Sequence, residues 1–109
     1  MITSLCIYRV RKGSEKPFRS LLEKHWPTLR RVGLGADVPS VVYEGTEEEG
    51  EPIFFEVLNW KDTKGPDRAH EIPDVMAVWE PMGKLCEERD GRPSMEFPIV
   101  EPIEVPFER

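Results

Sequence analysis

The order of apolar patterns along these 109 residues predicts an α+β fold of the ferredoxin-like type, β-α-β-β-α-β. Three observations carry this reading. Runs rich in β-branched and aromatic side chains stand at residues 2–10, 40–44, 53–60 and 94–97. Apolar residues at helical spacing fill the stretches after the first and third runs. The remaining links are short turns of glycine, proline and acidic residues, and the whole length suits one domain, residues 1–109. Four antiparallel strands would then form a sheet with both helices on one face.

The first run, Ile2 to Val10, closes at Arg11-Lys12-Gly13, a strand followed by a turn. Ser14 is placed to cap a helix, with Glu15 and Pro17 in its first turn. Phe18, Leu21, Leu22, His25, Trp26, Leu29 and Val32 form its apolar stripe, Pro27 predicts a kink, and Gly33 and Gly35 end it. Ser40 to Glu44 reads as a second strand. Gly45 to Pro52 reads as a solvated hairpin loop, with Glu47-Glu48-Glu49 at its tip. Ile53 to Trp60 is the third strand. A second helical region opens at Gly65-Pro66, restarts at Pro73 and is expected to reach about Arg89, with a stripe of Ile72, Val75, Met76, Trp79, Met82, Leu85 and Cys86. Asp90-Gly91-Arg92-Pro93 is a turn. Ser94 to Phe97 begins a fourth strand, and Pro98, Pro102 and Pro106 space out residues 98–109 as an extended arm, suited to an edge strand or a strap.

Charge and cysteine usage exclude several function classes. The net charge of −6 opposes non-specific binding to phosphate backbones. Residues 1–31 hold eight Lys/Arg and two Asp/Glu, which reads as a charged outer helix face rather than a nucleic-acid patch. No apolar run is long enough to span a bilayer, and the opening residues have no basic n-region or long apolar core of a signal peptide. Cys6 and Cys86 lack the spacing of a zinc site or a disulfide framework and read as buried free thiols in a reducing cytoplasm. The first and third strands carry apolar side chains on both faces, and helices cover only one, so a second copy of the chain is expected on the other.

The segments His25-Trp26-Pro27-Thr28-Leu29, Phe55-Glu56-Val57-Leu58-Asn59-Trp60-Lys61-Asp62 and Ala69-His70-Glu71-Ile72-Pro73-Asp74-Val75-Met76 resemble the antibiotic biosynthesis monooxygenase (ABM) family of dimeric α/β barrels, over roughly residues 2–100. The resemblance implies a homodimer with sheets packed face to face and a small-molecule cavity between sheet and helices in each subunit. It is a marker of fold more than of reaction. Haem-degrading members of the family place an Asn, a Trp and a His where this chain has Leu5, His70 and Glu80, so haem degradation is disfavoured.

Two histidines carry the remaining chemistry. His25 lies on the stripe of the first helix and His70 at the start of the second helical region, in the family's cavity-facing position. Beside Glu56 they would bind a metal or exchange a proton with a phenolic substrate; the plainer reading of each is a half-buried histidine bonded to backbone or carboxylate. No two ligands share a helix at i,i+4 spacing, so no metal and no other cofactor is expected. Trp79 is either core or a wall against which a ligand stacks, and Tyr43 and Asn59 are expected to hydrogen-bond a polar aromatic substrate. No nucleophilic triad is suggested, and Cys6 on a buried strand should be inert. The resemblance thus implies a cofactor-independent monooxygenase, with His70 as base and His25, Tyr43, Glu56, Asn59 and Trp79 around the substrate. The alternative is a non-catalytic ligand-binding or accessory module of the same fold.

Overall fold

A computed structural model describes residues 1–109. Its elements are β1 (Ile2–Arg9), α1 (Glu15–Arg31), β2 (Val41–Thr46), β3 (Pro52–Trp60), α2 (Gly65–Ala69), α3 (Pro73–Lys84), β4 (Met95–Glu96) and β5 (Ile99–Val100). The sheet runs β2-β3-β1-β4, with β5 also pairing β1, and every pairing is antiparallel. This is the α+β, ferredoxin-like order that the alternating patterns predict.

Register decides which side chains can reach one another. β1 and β3 pair along their full length, Ile2 opposite Trp60 through Arg9 opposite Ile53. Side chains alternate across a strand, so Ser4, Cys6 and Tyr8 share the helix-covered face with Phe54, Glu56, Leu58 and Trp60, all buried. Phe18 and Leu29 of α1 and Val75, Val78 and Met82 of α3 close this core. The opposite face presents Leu5, Ile7, Phe55 and Val57, half-buried, beside Val41 and Tyr43 of β2, which are 51% and 59% exposed.

Several boundaries move for local reasons. Ser14 occupies the N-cap of α1 without a side-chain bond; Glu15 Oε1 accepts from Gly13 N–H at 2.6 Å instead. α1 continues through Pro27, and the chain leaves it at Gly33, whose φ of +83° suits a residue without Cβ. The second helical region divides because Ile72 precedes Pro73, which disfavours the helical conformation there; Ile72 is extended at φ −103°, ψ 113°. α3 stops at Lys84, short of Arg89. Beyond it the backbone is recruited by the end of β1: Arg11 N–H donates to Leu85 O, Glu87 N–H to Arg9 O, and Cys86 bridges Val10. Cys86 is therefore core but not part of a helical stripe.

Glu47 is likewise more than a solvated tip residue. Its carboxylate receives Arg89 Nη1 at 3.0 Å and also pairs with Arg92, and Arg89 donates onward to Pro52 O and Val10 O. These bonds tie the β2–β3 turn to the end of β1. The fourth strand is two short pieces separated at Pro98, which lacks an N–H but whose carbonyl accepts from Leu5 N–H at 2.9 Å. Residues 101–109 are exposed and without regular structure.

Gly65, at the start of α2, has a second constraint. A Cβ there would meet Trp60 Cε3 at 2.6 Å, and that ring is buried and anchored by a 3.0 Å bond from its Nε1–H to Ser4 Oγ. Gly65→Ala should lower stability by about 1–3 kcal/mol, the usual cost of overpacking, as read by urea unfolding. A variant of wild-type stability would show that α2 moves freely away from Trp60.

Candidate functional site

A cavity of about 410 Å³ opens between the helix-covered face of β1 and β3, the α2–α3 segment and the β4–β5 edge. Its floor is Ser4, Cys6, Tyr8, Leu58 and Trp60; its walls include Met76, Trp79 and Met82 from α3 and Met95, Phe97 and Ile99 from the edge. His25 reaches it from α1, and Asp67, His70 and Glu80 stand at its rim. The lining includes no lysine or arginine.

Behind His25 lies a fully buried carboxylate. Glu56 Oε1 takes the Tyr8 O–H at 2.7 Å and lies 2.8 Å from His25 Nδ1, while Oε2 has no partner. Trp79 Nε1–H donates to His25 Nε2 at 2.9 Å. An indole nitrogen only donates, so Nε2 is the acceptor and the ring proton sits on Nδ1, facing Glu56. The chain of bonds settles the tautomer: a neutral histidine, aimed by a carboxylate, with its basic nitrogen on the cavity side.

Each link follows from the elements. Glu56 and Tyr8 belong to adjacent antiparallel strands on one face, as diagonal neighbours in the β1–β3 register. His25 lies seven residues after Phe18 and four before Leu29, on the buried stripe of α1. Trp79 follows Val75 by four residues on α3 and is half-buried.

Burial alone pushes the Glu56 carboxyl up, but the hydrogen bonds from His25 and the Tyr8 hydroxyl outweigh it and hold Glu56 below its ordinary value. Tyr8 is pushed well above the usual phenol range by burial and by the neighbouring carboxylate. Burial, with Glu56 adding, raises the Cys6 thiol to about 12, so Cys6 is a cavity wall and no nucleophile.

The residues marked out by sequence separate into two groups. His25, His70 and Trp79 line the cavity, with Glu56 behind His25. His70 is exposed and makes an edge contact with the Trp79 ring, centroids 4.9 Å apart. Tyr43 and Asn59 do not join them. Asn59 has opposite parity to Glu56 on β3 and bonds Thr3 Oγ1 at 2.6 Å on the uncovered face, and Tyr43, opposite Phe55, shares that face. Tyr8 belongs to the site as well; a phenol on a β-rich strand reads as core until its cross-strand partner is known. No group of three or more His, Cys, Asp or Glu is gathered to hold a metal.

No protein-family model and no curated protein matches the sequence. Solved structures do match the fold. An antibiotic biosynthesis monooxygenase aligns with TM-score 0.66 at 8% identity, covering 95% of this chain and 100% of its own. SnoaB of Streptomyces nogalater, a cofactor-independent oxygenase, aligns with TM-score 0.65 at 13% identity over 98% and 97%. A dimeric ferredoxin-like protein of unknown function from Jannaschia aligns with TM-score 0.55 at 16% identity, covering 93% of this chain and 98% of its own. The chain has the ABM-like fold.

Because the folded pKa of Glu56 lies below the unfolded one, its contribution to stability is fully present above the unfolded value of about 4.3 and is lost as pH falls through the folded value. Glu56→Gln keeps an acceptor for Tyr8 and His25 but loses the charge, and should cost about 1–3 kcal/mol at neutral pH. The gap from wild type should close on acidification, read by urea unfolding across pH. A gap independent of pH would contradict an ionised Glu56.

Proposed function

We propose that this protein is a small-molecule enzyme acting on a phenolic or polycyclic aromatic substrate, a cofactor-independent monooxygenase, with His25 as the base. The observation that carries this reading is the Glu56–His25 pair, whose Nε2 faces an apolar cavity. A carboxylate behind a neutral imidazole is the usual way to hold a general base in one tautomer and to stabilise the imidazolium it becomes. His70, the base expected from the sequence, has no carboxylate behind it and sits at the rim, where it is better placed to border substrate entry.

The chemistry uses dioxygen as the second reactant. His25 Nε2 takes the phenolic or anthrone-type proton. The resulting anion passes one electron to O₂, the substrate radical and superoxide join through a C–O bond, and the returned proton completes a hydroperoxide. Loss of water then leaves a carbonyl, so a CH₂ and O₂ become C=O and H₂O. The apolar walls contribute by excluding water from the anion.

The accessory-module alternative would be favoured by a cavity filled with tryptophan. Trp26 instead turns away, its Nε1–H bonded to Ala36 O at 2.9 Å, and about 410 Å³ stays open. That volume lies in the range of ligand sites. Homodimer formation through the apolar uncovered face belongs to the same proposal, in line with the dimeric neighbour; two free buried cysteines suit a reducing cytoplasm.

Oxygen uptake with a panel of anthrones and naphthols should reveal turnover that His25→Gln lowers about 100-fold or more, the ordinary share of a general base, while His70→Ala stays within about threefold. Equal rates for His25→Gln and wild type would remove the assignment. Light scattering on the same samples should give twice 12.6 kDa; a monomer would sink the dimer.

A further inference from the structure

The nitrogen that would act as base is already engaged. His25 Nε2 accepts the Trp79 N–H at 2.9 Å, and His25 itself is only 3% exposed. The Trp79 ring meets both the buried His25 and the exposed His70 in edge geometry, with centroids 6.3 and 4.9 Å away. A ligand that uses His25 must first take the place of the indole, and only a ligand carrying its own O–H or N–H can restore the bond that is broken.

The charges around the cavity limit the ligand further. Asp67 and Glu80 flank the mouth, Glu56 lies beneath, and no lysine or arginine faces inward to pair with an anion. A carboxylate brought here would be desolvated without a cation and opposed by three acids. A neutral donor suffers neither penalty.

We propose that Trp79 gates the His25 base and that the site selects neutral aromatic ligands bearing a hydroxyl or N–H, and rejects carboxylates. This rests on the reading of His25 as base and adds the substrate's ionic form and the group that must move to admit it. Trp79 acts as a specificity-determining residue: the indole donates to His25 Nε2 until a ligand with its own donor displaces it.

The test uses three probes of one size, 2-naphthol, its methyl ether and 2-naphthoate, measured by calorimetry against wild type and Trp79→Phe. Wild type should bind the naphthol, and the naphthoate at least about tenfold more weakly. Trp79→Phe removes the competing donor and keeps an aromatic wall, so the preference for naphthol over its methyl ether should rise about five- to tenfold. If Trp79 is only a wall, both neutral probes will weaken together and that ratio will stay at the wild-type value, which overturns the gate. A second readout needs no variant: the Trp79 indole N–H resonance of wild type should move on adding naphthol far more than on adding the methyl ether. Equal movement would also overturn the gate. Binding of naphthoate as tight as naphthol would overturn the selection for neutral ligands. Failure of wild type to bind either neutral probe would bring down the proposed function and the gate together, whereas binding with an unchanged ratio brings down the gate alone.

Discussion

The rest of the site depends on one buried carboxylate. Glu56 has no exposed surface, and an unpaired charge at such a position would drive the chain towards other packings or towards protonation. Two donors converge on a single oxygen, Tyr8 from the neighbouring strand and His25 from the helix above. That convergence fixes the α1 stripe over the β1–β3 pair. It also fixes the imidazole, since with Nδ1–H committed to Glu56 the other nitrogen is left bare and faces the cavity, where Trp79 meets it. A line of four side chains from four elements, Tyr8 of β1, Glu56 of β3, His25 of α1 and Trp79 of α3, thus runs from the core to the cavity wall.

The scaffold around this line divides its work by face. The covered face holds the polar line within an apolar core, and the uncovered face carries Leu5, Ile7, Phe55, Val57 and Tyr43, half-buried or exposed. The β4–β5 edge, held to β1 by Ser94 and Pro98 carbonyls, places Met95, Phe97 and Ile99 as the far wall of the cavity. The arginine cluster around Glu47 lies at the other end of β1 and joins the β2–β3 turn to the chain leaving α3. The cavity lining is drawn in part from the core itself, since Cys6, Tyr8, Leu58, Trp60 and Met82 belong to both.

Much of the fold was legible because periodicity reports burial directly. Strands at residues 2–10 and 53–60 and the stripe from Phe18 to Leu29 needed no tertiary knowledge. The site was legible in part. His25 sat on an apolar stripe, and Glu56 was a lone acid within a strand otherwise rich in apolar residues; each is the kind of buried polar group that demands a partner. Their pairing was hidden because it joins residues 31 apart, through strand register. Asn59 and Tyr43 were misplaced for a related reason. β3 is apolar on both faces, so polarity did not sort its residues, and only the parity of Glu56 against Asn59 does. His70 drew the base assignment from its place in the sequence, yet its ring has no carboxylate partner.

The most direct test of the account is the protonation state of the His25 ring, read by nitrogen–proton correlation spectra of imidazole-labelled protein at neutral pH. The account predicts a neutral ring with its proton on Nδ1 and a bare Nε2, shifting when Trp79 is replaced. A ring protonated on Nε2, or a fixed imidazolium, would contradict it, because neither has a lone pair to turn towards the cavity.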